Sequence, residues 1–185
     1  MKKRNLKGNN KGFTLVELIV VLVILAILAA ILVPALLGYI DQARNKQTLL
    51  NARSAMTAAQ AELSAIYGSA TAEPGDIAKT DNAHYTNLVN TADFKNLAPY
   101  PTNFIVGVGE EYKTGDDKKV KHAAFTVNYV VYRDESGSIV QYLNGDWTEL
   151  EELPDADTKP DGVKATFNVD IPSKSTTPST GGDEG

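Results

Sequence analysis

The chain has no cysteine among its 185 residues. No disulfide, thiolate nucleophile or cysteine-held metal is available, so the fold must be held by packing alone. Histidine is nearly as scarce. His84 and His122 are far apart and set among polar residues, which reads as two surface histidines rather than a base and its partner. Acid is missing from the first 12 residues, which carry Lys2, Lys3, Arg4, Lys7 and Lys11. The rest then holds 13 basic against 23 acidic residues, a balance of −10. An acidic body argues against broad electrostatic binding of nucleic acid, and no direct nucleic-acid site is identified. The length suits one compact domain rather than two.

What the chain has in excess is one apolar run. Leu18 to Leu37 is unbroken if Pro34 is counted as compatible. At about 1.5 Å per residue it spans roughly 30 Å, one hydrocarbon core. The basic segment before it stays on the cytoplasmic side by the positive-inside tendency. A secretory signal peptide cut near residues 26–30, or a plain signal anchor, would share this pattern. Neither accounts for Glu17, a carboxylate at the start of the apolar run. Thr14-Leu15-Val16-Glu17 also fits a helix capping box.

Lys11-Gly12-Phe13-Thr14-Leu15-Val16-Glu17-Leu18 resembles the class III signal sequence of type IV prepilins. The resemblance is tight over residues 11–40 and architectural beyond. It implies cleavage after Gly12 by a membrane prepilin peptidase and N-methylation of the new terminus at Phe13. It also implies assembly through Glu17, whose carboxylate would meet the Phe13 amine of a neighbouring subunit. Implied partners are further pilin subunits, an inner-membrane assembly platform and motor ATPases. The chain would cross the cytoplasmic membrane once before assembly and stand at the cell surface afterwards. Many Gram-negative pilins close a C-terminal loop with a disulfide. That is impossible here, and the chain is more similar to the cysteine-free pilins of Gram-positive bacteria.

The helical pattern continues past the apolar run. Leu49, Ala52, Met56, Ala59, Leu63 and Ile66 recur every three or four residues, while Arg44, Lys46, Asn51, Arg53, Gln60 and Glu62 take other faces. A helix from Thr14 to Tyr67, stopped at Gly68, would be on the order of 80 Å long. Pro34 and Gly38 mark a bend or a locally melted segment within it. Residues 69–103 read as a surface connection with one short helix around Tyr85–Leu97. Strand signals follow at Phe104–Val108, Ala123–Tyr132, Ser138–Leu143, near Trp147 and at Val163–Val169, with turns at Asp134–Gly137 and Asn144–Asp146. In the second strand Phe125, Val127, Tyr129 and Val131 share one side. The fold class is α+β: a pilin-like roll with the second half of the helix on an antiparallel sheet. Four stretches result: a leader at 1–12, an apolar helix at 13–40, a globular part at 41–172 and a disordered tail at 173–185.

No catalytic set or cofactor site is apparent. Asp116, Asp117, Asp155, Asp157 and Asp161 could ligate calcium, but EF-hand spacing is missing and Lys118, Lys119 and Lys159 oppose a cation. Solvated loops are the better reading, with no metal assigned. Gly107-Val108-Gly109 is too short for a nucleotide loop. Tyr129, Tyr132, Tyr142 and Trp147 read as core and sheet-surface residues. The functional expectation is a structural subunit of a type IV pilus serving adhesion, motility or DNA uptake. The alternatives are a pseudopilin of a type II secretion or competence system, and a monomeric membrane-anchored adhesin.

Overall fold

The computed structural model describes residues 12–69, 72–110, 122–155 and 158–174. The element order is α1 (Leu15–Tyr67), a 3-10 turn (Pro74–Ala78), α2 (Ala83–Thr91), β1 (Pro101–Val108), a second 3-10 turn (His122–Phe125), β2 (Val127–Asp134), β3 (Ile139–Leu143), β4 (Asp146–Leu150) and β5 (Ala165–Asn168). The α+β, pilin-like architecture is thus a long N-terminal helix followed by a C-terminal sheet. The chain divides into two compact units, before and after the Gln42–Ala43 bond.

The first unit is helical from Leu15 onward, and α1 is unbroken through Pro34 and Gly38. The locally melted segment expected there is not found. A proline interrupts one hydrogen bond of the ladder, and the bonds on either side keep the turn helical.

The second unit is built on a five-stranded, fully antiparallel sheet in the order β4-β3-β2-β1-β5. The rest of α1 buries Ala52, Ala55, Ala58, Ala59, Leu63 and Ile66. They share a core with Phe104, Val106, Val130, Tyr132 and Val140 of the sheet. Small alanine side chains make up most of this contact face, alongside Leu63 and Ile66. Leu49 is only half-buried, whereas Ala55 and Ala58 are buried. Asn51, expected on a polar face, is 4% exposed. It tolerates burial because its amide accepts from Gln47 at 2.9 Å and reaches the Ala98 carbonyl at 3.5 Å.

The strand expected from Ala123 begins later, because residues 122–125 form a 3-10 turn and β2 starts at Val127. Gln60 of α1 fastens this corner. Its side-chain amide donates to the Phe125 carbonyl at 3.0 Å and accepts from the Val127 N–H at 2.8 Å. One side chain thereby does for two backbone groups what a neighbouring strand would do. Val130 and Tyr132 face α1, while Tyr129 and Val131 pack on the opposite side with Ile139 and Val163. Both sheet faces are covered, so β2 reads as a near-continuous apolar run.

Residues 72–100 are not merely a surface connection. Pro74, Ile77, Leu88, Val89, Ala92 and Phe94 are buried. The helix expected around residues 85–97 is α2, shorter and shifted to Ala83–Thr91, with Asn82 capping it through a bond from the His84 N–H at 2.9 Å. The first 3-10 turn is closed by Asp76, which takes the Glu73 N–H at 3.0 Å and the Lys79 ammonium at 2.6 Å. Burial pushes the Asp76 carboxyl up, but these donors outweigh it and hold the group below its usual value.

Residues beyond the last strand also make contacts. Tyr85 bonds the Asp170 carbonyl at 2.9 Å, Tyr100 bonds that of Pro172, and Lys174 pairs with Glu135 at 3.0 Å. The tail expected to be disordered from residue 173 is therefore tied up to Lys174, through Glu135 in the β2–β3 turn, and residues 175–185 lie outside the described set.

Gly107 has a steric purpose rather than a nucleotide-binding one. A β-carbon there would lie 2.8 Å from Tyr129 Cβ and 2.9 Å from Val163 Cγ1. Two packed side chains would have to move, one of them the buried cross-strand partner Tyr129. Gly107→Ala is expected to destabilise the fold by about 1–3 kcal/mol. Chemical denaturation of the detergent-solubilised chain checks this, and an unchanged midpoint would refute it.

Candidate functional site

The candidate site is the start of α1 and the apolar surface that follows it. From Leu15 to Ile40 the large apolar side chains stand 40–74% exposed. This is the one segment among the described residues long and apolar enough to cross a membrane, with a mean hydropathy of 3.3 over its best window. No side chain of Leu15–Ile40 is buried in the subunit. Water is a poor solvent for a surface of this size, so lipid or other chains must cover it.

Glu17 opens that surface with a reciprocated capping box. Thr14 donates to Glu17 Oε2 from its backbone N–H at 2.9 Å and from its hydroxyl at 2.8 Å. The Glu17 N–H returns a bond to Thr14 Oγ1 at 3.3 Å. Two free N–H groups of the first turn are thus satisfied within the chain. Both carboxylate bonds use Oε2, and Oε1 accepts none from any described residue. A carboxylate can accept on both oxygens. Capping and a bond to a second partner are therefore compatible, so the two readings of this residue do not compete. Gly12 and Phe13 precede the helix in an exposed stretch outside any helix or strand, with Phe13 at 90% exposure. A peptide bond there is open to a protease, and the missing side chain of Gly12 leaves space beside it.

The other candidates lie elsewhere. His84 is not an isolated surface histidine. It is half-buried, and its Nδ1 lies 2.9 Å from Glu62 Oε2, linking α2 to α1. The sequence places these residues 22 apart, so only packing could reveal the pair. The side chain of His122 and residues Asp116, Asp117 and Asp157 lie outside the described set. Among the described residues no group of three or more His, Cys, Asp or Glu side chains is placed to hold a metal ion. Lys159 donates to the Lys164 carbonyl at 3.0 Å. The Tyr142 and Trp147 rings lie 5.2 Å apart on the sheet with their planes tilted by 46°, and the Arg53 guanidinium lies 5.8 Å from the centre of the Trp147 ring.

Sequence reading also missed a buried polar clasp where α1 first meets the sheet. Asp134, 1% exposed, ends β2. Its Oδ2 lies 2.5 Å from the Thr48 hydroxyl, and its Oδ1 accepts from the Ser136 N–H at 2.9 Å and from the Ser136 hydroxyl at 2.5 Å. Ser136 continues to Ser138 at 3.1 Å, and Ser138 donates to Asn45 at 3.0 Å. The clasp joins one turn of α1 to the β2–β3 turn. In sequence Asp134 reads only as a turn residue. Thr48 lies on the apolar stripe at the i−4 position from Ala52, which is the only signal that could have pointed to it.

Residues 7–33 match the protein family described as the prokaryotic N-terminal methylation motif. No curated protein and no solved structure matches the chain. The match covers Lys7 and Lys11 of the basic segment, Gly12, Phe13, Glu17 and most of the apolar run, and it ends before Pro34.

Thr48→Val keeps the shape but removes a donor from a buried carboxylate. It is expected to cost about 1–3 kcal/mol. Urea denaturation of the solubilised chain should show this, with Thr48→Ser close to wild type. A Thr48→Val midpoint equal to that of wild type would refute the clasp.

Proposed function

Given a prepilin-type methylation signal at residues 7–33 and an α+β, pilin-like architecture, we propose that this chain is the structural subunit of a type IV pilus. Prepilin peptidase cuts after Gly12, Phe13 is methylated, and mature subunits leave the membrane for a helical filament at the cell surface. The observation that carries the reading is the pairing of that signal with an apolar helix whose large side chains stand exposed. In the membrane, lipid covers this surface; in a filament, the same surface of other subunits does. The exchange keeps the apolar area out of water throughout.

Glu17 sets the register of that exchange. A carboxylate among apolar helices is costly unless it is paired and hydrogen-bonded. Thr14 supplies donors to one oxygen. In this proposal the amine of a neighbour's Phe13 approaches the other. A misregistered subunit leaves both charges alone, so the penalty for error is larger than the gain from any single apolar contact. Prepilin peptidase for processing, and the assembly platform and motor ATPases for polymerisation, are the partners this route requires.

The mature protein recovered from cell surfaces should begin at Phe13 and exceed its sequence mass by one methyl group. N-terminal sequencing and intact mass test this; a chain starting at Met1 or near Ala30 would sink the proposal. Glu17→Ala should be processed normally yet give at most a few per cent of wild-type filaments by electron microscopy, on the order of the several kcal/mol attached to an unpaired buried charge. Normal filament yield would remove Glu17 from the assembly step.

A further inference from the structure

The outward face of α1 in the second unit carries charge of one sign. Lys46, Leu50 and Arg53 fall at i, i+4 and i+7, a spacing that places them on one side of a helix. That side is opposite the buried stripe of Thr48, Ala52, Ala55 and Ala59. All three are exposed, Leu50 at 58%. From Ala43 to Tyr67 the only acid is Glu62, and it is engaged by His84. Neither Lys46 nor Arg53 forms an ion pair among the described residues. The Arg53 guanidinium is held over the Trp147 ring at 5.8 Å, so part of its ordering cost is met before any partner arrives.

Charge of the other sign collects on the edge strand β4 and the turn that leaves it. Asp146, Glu151 and Glu152 are exposed there, and no lysine or arginine lies between Asn144 and Asp157. None of the three is in an ion pair with a described residue. Glu149 is excluded from this group because it accepts from Asn45 at 3.1 Å. Among the described residues β4 is one of the two edge strands and pairs with β3 alone. Its acidic rim opposes pairing with the same edge of another copy, because like charges would meet. A cationic surface is the complement it fits.

We propose that these two surfaces form a copy-to-copy contact, in which the Asp146–Glu151–Glu152 edge of one subunit seats on the Lys46–Leu50–Arg53 face of another. The inference rests on the filament reading and adds to it a contact made by the globular parts. Two different patches on one chain make a head-to-tail interface, the kind that propagates into a helical polymer instead of closing as a dimer. Leu50 supplies an apolar centre that the contact removes from water, and the flanking charges select the partner surface and orient it. The apolar helix is nonspecific about rotation, and the charged contact is a means of fixing it.

The test compares sheared filament yield, by immunoblot and electron microscopy, from cells expressing the full chain with its peptidase and assembly machinery. The variants are Lys46→Glu/Arg53→Glu, Glu151→Lys/Glu152→Lys, and the two pairs combined in one chain. Each double reversal should lower the yield by about tenfold or more, since it places like charges face to face. The combined reversal should return to within about twofold of wild type. Coexpression of the two double variants supplies the same complementary pairing between chains and should also restore filaments. A double reversal that assembles like wild type overturns the proposal, as does failure of both restorations. Loss confined to the Lys46/Arg53 reversal, with Glu151/Glu152 neutral, would assign the cations to lipid phosphate and overturn it too. Cells whose wild-type chain makes no filament at all would sink the filament reading and this contact together. Filaments indifferent to charge would sink the contact alone.

Discussion

A long stretch of helix whose large apolar side chains all stand exposed is the constraint on which the rest depends. From Leu15 to Ile40 the large side chains are exposed. The hydrophobic effect requires cover for every turn of that helix. A chain so built has no well-behaved state as a free monomer in water. It must occupy a membrane or an assembly, and the second unit must fold without help from the first. Cysteine-free and of modest size, that second unit relies on packing density. Its alanine-lined helix face and its two-sided sheet are the response to that demand.

The start of α1 illustrates how one side chain can serve local and collective needs together. Glu17 satisfies the first turn through Oε2 and keeps Oε1 open. Capping holds the carboxylate close to Phe13, the chain terminus under the proposed cleavage. A partner amine then meets a preorganised acceptor, which lowers the entropic cost of pairing. Helix capping in the subunit is thereby the first step of the proposed subunit registration.

The second unit holds its helix by two kinds of contact with different reach. Apolar packing of Ala52, Ala55, Ala59, Leu63 and Ile66 supplies area but tolerates sliding. The Thr48–Asp134–Ser136 clasp and the double bond of Gln60 to the Phe125–Val127 corner are directional. They fix the helix to the sheet at both ends of the shared core. A buried carboxylate held only by hydroxyls and an N–H is costly to misplace, so it favours one register over its neighbours. The helix of a subunit that is pulled or packed by others is therefore pinned at the point where it enters the domain.

Sequence alone determined the features that depend on local period and order. The amphipathic continuation to Tyr67 was legible because a helix repeats its contacts every three or four residues, the apolar run through its length, and Gly12, Phe13 and Glu17 through an order that resembles a prepilin signal. The hairpin turns at Asp134–Gly137 and Asn144–Asp146 were legible because few residues adopt their dihedrals, as the positive φ values of Gly137, Asn144 and Gly145 show. Tertiary structure decided everything that required two distant segments to meet. It buried Asn51 and Asp134, paired His84 with Glu62, turned Val130 and Tyr132 rather than Tyr129 and Val131 toward the helix, and drew residues 72–100 into the core. Polar side chains carry no mark of their future partners. A strand covered on both faces loses the alternation that would reveal which face meets which layer.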